Sequence, residues 1–138
     1  MRYRRVMLTI GLTIALAVIV RAAEKPTPEH VKAMKDLIGV VQTMTKPGAY
    51  GNFEVAKQSA STAADAYVVV QKFWDARNDK EASALSHAGT KAAGEIAAGA
   101  AMSSADGVEK AVTALRATCA PCHKAHRLEL PDKSFEIQ

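Results

Sequence analysis

The chain has 138 residues, which is enough for one domain. Its 18 basic residues exceed its 14 acidic ones, but four of the arginines lie in residues 1–22, which hold no acidic residue. The remainder is therefore neutral, which excludes the basic surface of a nucleic-acid-binding protein, and its abundant alanine and few aromatic residues favour an all-α fold.

Residues 1–22 have the pattern of an export signal. Arg2, Arg4 and Arg5 form a basic start, and a mostly apolar segment without charge follows from Val6 to Val20. Fifteen such residues are short for a membrane span. We therefore predict cleavage after Ala22, which leaves residues 23–138 as the domain and no stable membrane insertion. A retained membrane anchor is the alternative.

The first helix is predicted to begin at Thr27 and Pro28, an N-cap residue followed by proline at the first helical position. It is expected to end near Thr45, because the sequence from Pro47 onward cannot continue a helix. Its predicted buried stripe has the periodicity of a helix face and consists of Val31, Met34, Ile38 and Val41.

The second and third helices are predicted to begin after Asn52 and Asp79, both good N-cap residues. The second has a heptad stripe, formed by Phe53, Ala56, Ala60, Ala63, Tyr67, Val70 and Trp74. The third has a stripe of smaller residues, formed by Ala82, Leu85, Gly89, Ala92, Ile96 and Gly99. Such small residues permit a neighbouring backbone, or a flat cofactor, to come close.

The fourth helix is predicted to begin at Ser103, with Asp106 three residues later as in a capping box. Its stripe runs through Val108, Val112, Leu115, Cys119, Cys122 and His126. Pro131 ends the pattern, and residues 132–138 are expected to form a loose tail. Four amphipathic helices with short links predict an antiparallel four-helix bundle.

The only two cysteines of the chain lie in the sequence Cys119-Ala120-Pro121-Cys122-His123. C-x-x-C-H is the attachment motif of c-type haem, in which both thiols form thioethers and the histidine binds the iron. On a helix these three side chains share one face. One such motif predicts one covalently attached haem c. Because bacterial haem attachment takes place outside the inner membrane, the motif and the export signal together predict a periplasmic protein.

Three other interpretations of the motif remain open. A thioredoxin-type C-x-x-C is expected after a strand in a βαβ unit, and no strand is evident here. A zinc site using Cys119, Cys122, His123 and His126 departs from the usual ligand spacing. A disulfide between residues so close closes a very small loop and stabilises little.

With four helical patterns and a single C-x-x-C-H near the C-terminus, in the fourth of them, the chain resembles the class II cytochromes c, the cytochrome c′ superfamily. The resemblance covers residues 27–128. The family often continues its motif with an aromatic residue and an arginine, and here Arg127 matches whereas His126 replaces the aromatic residue. The resemblance implies a four-helix haem domain with His123 as iron ligand. Arg127, one turn after His123, is a candidate partner for a haem propionate.

Members of this family differ in the residue that faces the iron opposite the histidine. Low-spin members present a methionine from the first helix, often in R-x-x-x-M-K, and this chain has His30 in place of the arginine and Met34 in place of the methionine. The resemblance therefore implies Met34 as sixth ligand. An alternative register places Leu37 or Ile38 over the iron and leaves an open site. His30 and Met44 are lesser candidates, and His30 is expected on the surface.

Two functions follow from these alternatives. Histidine–methionine ligation predicts a periplasmic carrier of single electrons, which needs no catalytic residues and exchanges electrons with redox partner proteins. An open site predicts a haem protein that binds nitric oxide or carbon monoxide. An enzyme is not expected, because no acid–base pair is evident beside the motif. Dimerisation is common in the family, so a homodimer remains open.

Overall fold

The computed structural model describes residues 23–138, so the predicted export signal lies outside the described residues. Most of the described chain is helical, as the all-α prediction requires. The elements, in chain order, are α1 (Pro28–Met44), α2 (Phe53–Asp75), α3 (Lys80–Ala101), α4 (Ala105–Ala117), α5 (Cys119–His126), β1 (Arg127–Glu129) and β2 (Phe135–Ile137). A 3₁₀ turn, Ala49–Gly51, precedes α2. Within residues 23–138, none of the helices has both the length and the apolar character that crossing a membrane requires.

The starts of α1, α2 and α3 are confirmed. The side chains of Thr27, Asn52 and Asp79 each accept a hydrogen bond from the backbone N–H three residues later, at 3.2, 3.2 and 3.0 Å. The predicted start of the fourth helix is wrong by one residue. Ser104 is the N-cap residue, because Ser103 has a left-handed φ of 51° and closes the turn before it.

The core lies where α2 packs against α1 and α3, and where α3 packs against α4. The heptad stripe of α2 is buried from Ala56 to Trp74, as predicted. The small residues of α3 accept close neighbours. Gly89 faces the ring of Tyr67, and a Cβ at Gly99 would stand 2.8 Å from the backbone nitrogen of Val108 in α4. Glycine is therefore required at these two positions, because a neighbouring helix comes too close to leave room for a Cβ atom.

The predicted buried stripe of α1 is wrong by one residue. The buried positions are His30, Ala33, Leu37, Val40 and Met44. The predicted residues lie beside them, half-buried or, for Ile38, 51% exposed. His30 is only 3% exposed, so its expected place on the surface is also wrong. The apolar residues of the predicted stripe line two cavities, and Met34 and Val41 also pack against the edge of the core.

The predicted fourth helix is divided at Thr118 and ends at His126, before Pro131. The expected loose tail is also wrong, because β1 and β2 form an antiparallel hairpin that pairs Arg127 with Ile137. Ile137 is buried and exchanges two backbone hydrogen bonds with Glu24, at 2.7 and 2.9 Å. The hairpin therefore joins the last described residues to the first ones.

Candidate functional site

Helix α5 carries the motif. Cys119, Cys122 and His123 are half-buried and line the same apolar cavity, as their shared helix face predicts. Thr118, which precedes them, donates a hydrogen bond to the carbonyl of Leu115 at 2.8 Å. The hydroxyl of Tyr67 therefore donates to Thr118, at 2.7 Å, because the single hydroxyl proton of Thr118 is already used. This buried pair fixes the start of α5 against α2.

The first cavity has a volume of about 230 Å³ and lies between α1, α2, α3 and α5. Apart from the motif, its lining is almost entirely apolar or aromatic. It consists of Met34, Leu37, Ile38, Val41, Gln42, Tyr67, Val70, Leu85, Ser86 and Thr118, with the three motif residues. A mostly apolar concave site with a few convergent polar groups is the usual form of a cofactor pocket.

Met34 borders this cavity together with Cys119, Cys122 and His123, so the structure brings together four of the five site residues that the sequence predicts. Leu37 and Ile38, the alternative residues for the position opposite the histidine, line the same cavity. Met44, the lesser candidate, is fully buried in the core. The cavity thus combines two thiols, one imidazole and one thioether in an apolar lining.

A second cavity, also of about 230 Å³, shares Met34, Ile38, Cys122 and His123 with the first. Its remaining lining comes from α1, α2, α5 and the hairpin. These residues are His30, Val31, Lys35, Trp74, His126, Arg127, Phe135 and Ile137. Arg127, the fifth predicted site residue, is exposed and places its guanidinium 4.7 Å from the centre of the Phe135 ring.

Burial determines the protonation of the motif. It raises the pKa of the Cys122 thiol to about 11, helped by the negative charge of Asp79, and it also raises the pKa of Cys119. Burial and the nearby Arg127 charge lower the pKa of His123. The neutral imidazole of His123 is the form that binds a metal. Thioredoxin-type motifs activate a cysteine by lowering its thiol pKa, so the raised pKa values here do not favour that interpretation.

The zinc and disulfide interpretations find no support in this geometry. Both cysteines are free thiols. In residues 23–138, no group of three or more His, Cys, Asp or Glu side chains converges as metal ligands would, so the four residues proposed for zinc do not form such a site.

Sequence reasoning missed the role of His30 and Trp74 in the second cavity. The ring of His30 lies 4.1 Å from that of Phe73, and the ring of Trp74 lies 4.6 Å from that of His126. The heptad position of Trp74 predicts a core residue, which is confirmed, but it does not indicate that this residue also lines a cavity. The i, i+3 and i+7 spacing of His30, Ala33 and Leu37 was a signal that His30 shares a buried face.

Comparisons with protein-family models, with curated proteins and with solved structures found no match to this chain.

Proposed function

We propose that this protein is a periplasmic c-type cytochrome with one covalently attached haem, built as an antiparallel four-helix bundle of the class II type. The observation that carries the proposal is that Met34, Cys119, Cys122 and His123 border one apolar cavity. The donor set suits a c-type haem, because two thiols and a neutral imidazole on one helix face are what the attachment motif requires.

Each residue has a distinct role in this proposal. Cys119 and Cys122 would hold the haem through thioethers, and His123 and Met34 would be the ligands of its iron. When bound, haem supplies an iron centre that alternates between the ferric and ferrous states. The apolar side chains of the cavity would keep water away from the iron. This exclusion of water, together with the Met34 sulfur, would favour the reduced state. The protein therefore carries single electrons and is not an enzyme.

Arg127 is proposed as a partner of a haem carboxylate. Its side chain lines the second cavity, which borders Cys122 and His123, and it is held over the ring of Phe135. A guanidinium binds a carboxylate through two parallel hydrogen bonds. The export signal in residues 1–22 supports the periplasmic location, and the neutral remainder of the chain favours no strongly charged redox partner.

One observation favours a second candidate function, the binding of nitric oxide or carbon monoxide. Leu37 and Ile38 line the same cavity as His123, and Ile38 is 51% exposed beside it. If one of these side chains faces the iron in place of Met34, the sixth position is open to a small gas. The identity of that residue separates the two functions.

The experiment is optical spectroscopy of the protein produced with haem-attachment machinery. We expect a low-spin ferrous spectrum that carbon monoxide does not change, and a high-spin, carbon monoxide-sensitive spectrum for Met34→Ala. Met102→Ala is the matched control, because Met102 is 72% exposed and should leave the spectrum unchanged. A high-spin parent protein that binds carbon monoxide would favour the gas-binding function. A chain whose mass shows no attached haem would exclude both.

A further inference from the structure

Three residues that line the second cavity each carry a buried ring nitrogen without a hydrogen-bond partner. Among residues 23–138, buried side-chain nitrogen or oxygen atoms lack a partner in three residues, at His30 Nδ1, Trp74 Nε1 and His126 Nε2. All three residues line the second cavity. Buried polar groups are nearly always paired, because an unpaired one lowers the stability of the fold. Their concentration at one cavity points to a ligand that pairs with them.

The rings are fixed by their packing. Trp74 is 2% exposed and lies between the two histidines, with its ring 4.6 Å from that of His126 and 6.2 Å from that of His30. Phe73 packs against His30, 4.1 Å away, and against Trp74, 5.0 Å away, and the guanidinium of Arg77 lies 3.5 Å from the centre of the Phe73 ring. The packing therefore holds the rings in place, and turning their nitrogens toward water would disrupt these ring contacts.

The hydrogen-bonding capacity of the cluster restricts the ligand. The indole nitrogen of Trp74 can only donate, so it requires an acceptor. His126 Nδ1 lies 3.3 Å from the carbonyl of Gln138 and 3.8 Å from the carboxylate of Asp79. Since both neighbours are acceptors, the proton of this ring is assigned to Nδ1.

The charges around the cavity favour an anion. Lys35 and Arg127 line it, and Arg77 lies over the ring of Phe73, which packs against His30. Of the nearby carboxylates, that of Asp79 faces the opposite nitrogen of His126, and that of Glu24 is bound by Arg77 at 2.7 Å. A carboxylate best meets these requirements, because it is negatively charged and accepts hydrogen bonds from a planar guanidinium and from an indole N–H.

We propose that His30, Trp74 and His126, with Arg127, form a carboxylate-binding site beside the haem motif. Two sources have this chemistry, a carboxylate side chain of the attached haem and a free small carboxylate. The first source rests on the proposed function, because Cys122 and His123 border both cavities and a haem held by them adjoins this site. The second source does not require a haem.

The indole of Trp74 provides the measurement, because it is the only tryptophan in the chain and gives a single indole N–H signal. The signal is recorded by ¹H–¹⁵N NMR on the full chain, as ferrous protein where haem is attached, while acetate is added. The haem carboxylates are followed by vibrational spectroscopy in the parent protein, in Trp74→Phe and in Arg127→Gln. Arg116→Gln is the matched control, because Arg116 is exposed on α4 and lies outside the second cavity.

If the haem supplies the carboxylate, its vibrational band shifts in Trp74→Phe and in Arg127→Gln but not in Arg116→Gln, and acetate leaves the indole signal unchanged. If the ligand is free, acetate shifts the indole signal with a saturating curve. Its affinity then falls about tenfold in Arg127→Gln, the effect of one lost charge-assisted hydrogen bond.

An indole signal that acetate does not move, together with haem carboxylate bands that neither substitution shifts, would overturn the site. Because Arg127 is exposed, Arg127→Gln keeps the test valid even where Trp74→Phe does not fold. The mass of the chain reports haem attachment separately. Failure of the proposed function can therefore be told apart from failure of this site. A haem-free chain whose indole signal responds to acetate retains the carboxylate site. A haem-free chain whose indole signal does not respond lacks it.

Discussion

His30 is enclosed by aromatic rings and held close to positive charge. Burial, then Arg77, then His123 lower the pKa of its imidazole from the ordinary 6.5 to about 4. The folded protein therefore keeps His30 neutral at a pH where the unfolded chain already binds a proton. A histidine of this kind lowers the stability of the protein in mild acid.

The first prediction follows from this difference. Between pH 6.5 and about 4 the unfolded state gains a proton that the folded state does not, so the free energy of unfolding falls as the pH falls. A shift of this size corresponds to about 3 kcal/mol over the whole window. His30→Phe keeps an aromatic ring against Phe73 and Trp74 and should remove most of this loss. Urea unfolding of both proteins at pH 7.5 and 4.5 measures it.

His87→Phe is the control for this prediction, because the His87 ring is exposed and is hydrogen-bonded to Gln71 on the surface. This substitution should leave the loss of stability in place. His123 is unchanged in both variants, so it does not affect the comparison between them. An equal loss of stability in the parent protein and in His30→Phe would contradict the assignment.

At the scale of the helices, the packing of α3 against α2 depends on the absence of a side chain at Gly89. An ideal Cβ there would lie 2.1 Å from the ring of Tyr67. That ring cannot move freely, because it is buried and its hydroxyl is hydrogen-bonded to Thr118, the residue before Cys119. The contact therefore links the spacing of two helices to the position of the motif.

The second prediction is a change of sign between two glycines of the same helix. Gly89→Ala should destabilise the protein by about 1–3 kcal/mol, because overpacking exceeds the gain in helix propensity. Gly94→Ala should stabilise it by up to about 1 kcal/mol, because its Cβ meets nothing within 4 Å and alanine favours the helix. Thermal and urea unfolding measure the stability of both variants. A Gly89→Ala variant that is as stable as Gly94→Ala would show that Tyr67 can make room for a side chain at position 89.

The helices themselves were predictable because their signals are local. Thr27, Asn52 and Asp79 act on backbone groups three residues away, so the sequence contains both partners. The start of α4 was missed by one residue because two consecutive serines satisfy the same pattern, and the left-handed φ of Ser103 decides between them. The α1 stripe was displaced because apolar residues that line a cavity look like core residues in a sequence.

The features that depend on distant partners were not predictable. The convergence of Cys119, Cys122 and His123 follows from helix spacing, and Met34 was placed beside them only through a family resemblance. The helix spacing of His30 indicates a buried face, but its contacts with Phe73 and Trp74 depend on residues more than 40 positions away in the chain. The hairpin was missed because its strands have three residues each, too few for an alternating pattern to be distinguished from a loop.

At the scale of the whole molecule, the hairpin closes the described chain upon itself and completes one wall of the second cavity. Ile137 is 6% exposed, lines that cavity and pairs with Glu24. The backbone N–H of the next residue, Gln138, donates a hydrogen bond to the carbonyl of His126 at 3.0 Å. The last residues therefore hold both the first described residues and the end of the motif helix. Loss of this contact should affect stability and the candidate site together.

The third prediction tests this coupling with Ile137→Ala. Truncating a buried isoleucine to alanine costs about 2–4 kcal/mol, because apolar contacts are lost and a void remains. Leu128→Ala in β1 is the matched control, because Leu128 is 39% exposed and its truncation should cost about 0.5 kcal/mol or less. Urea unfolding gives both values, and hydrogen exchange should show faster opening of the Glu24, Ile137 and Gln138 amides in Ile137→Ala alone. If Ile137→Ala is no more costly than Leu128→Ala, the hairpin is a surface feature, and the wall of the second cavity is held by the helices without it.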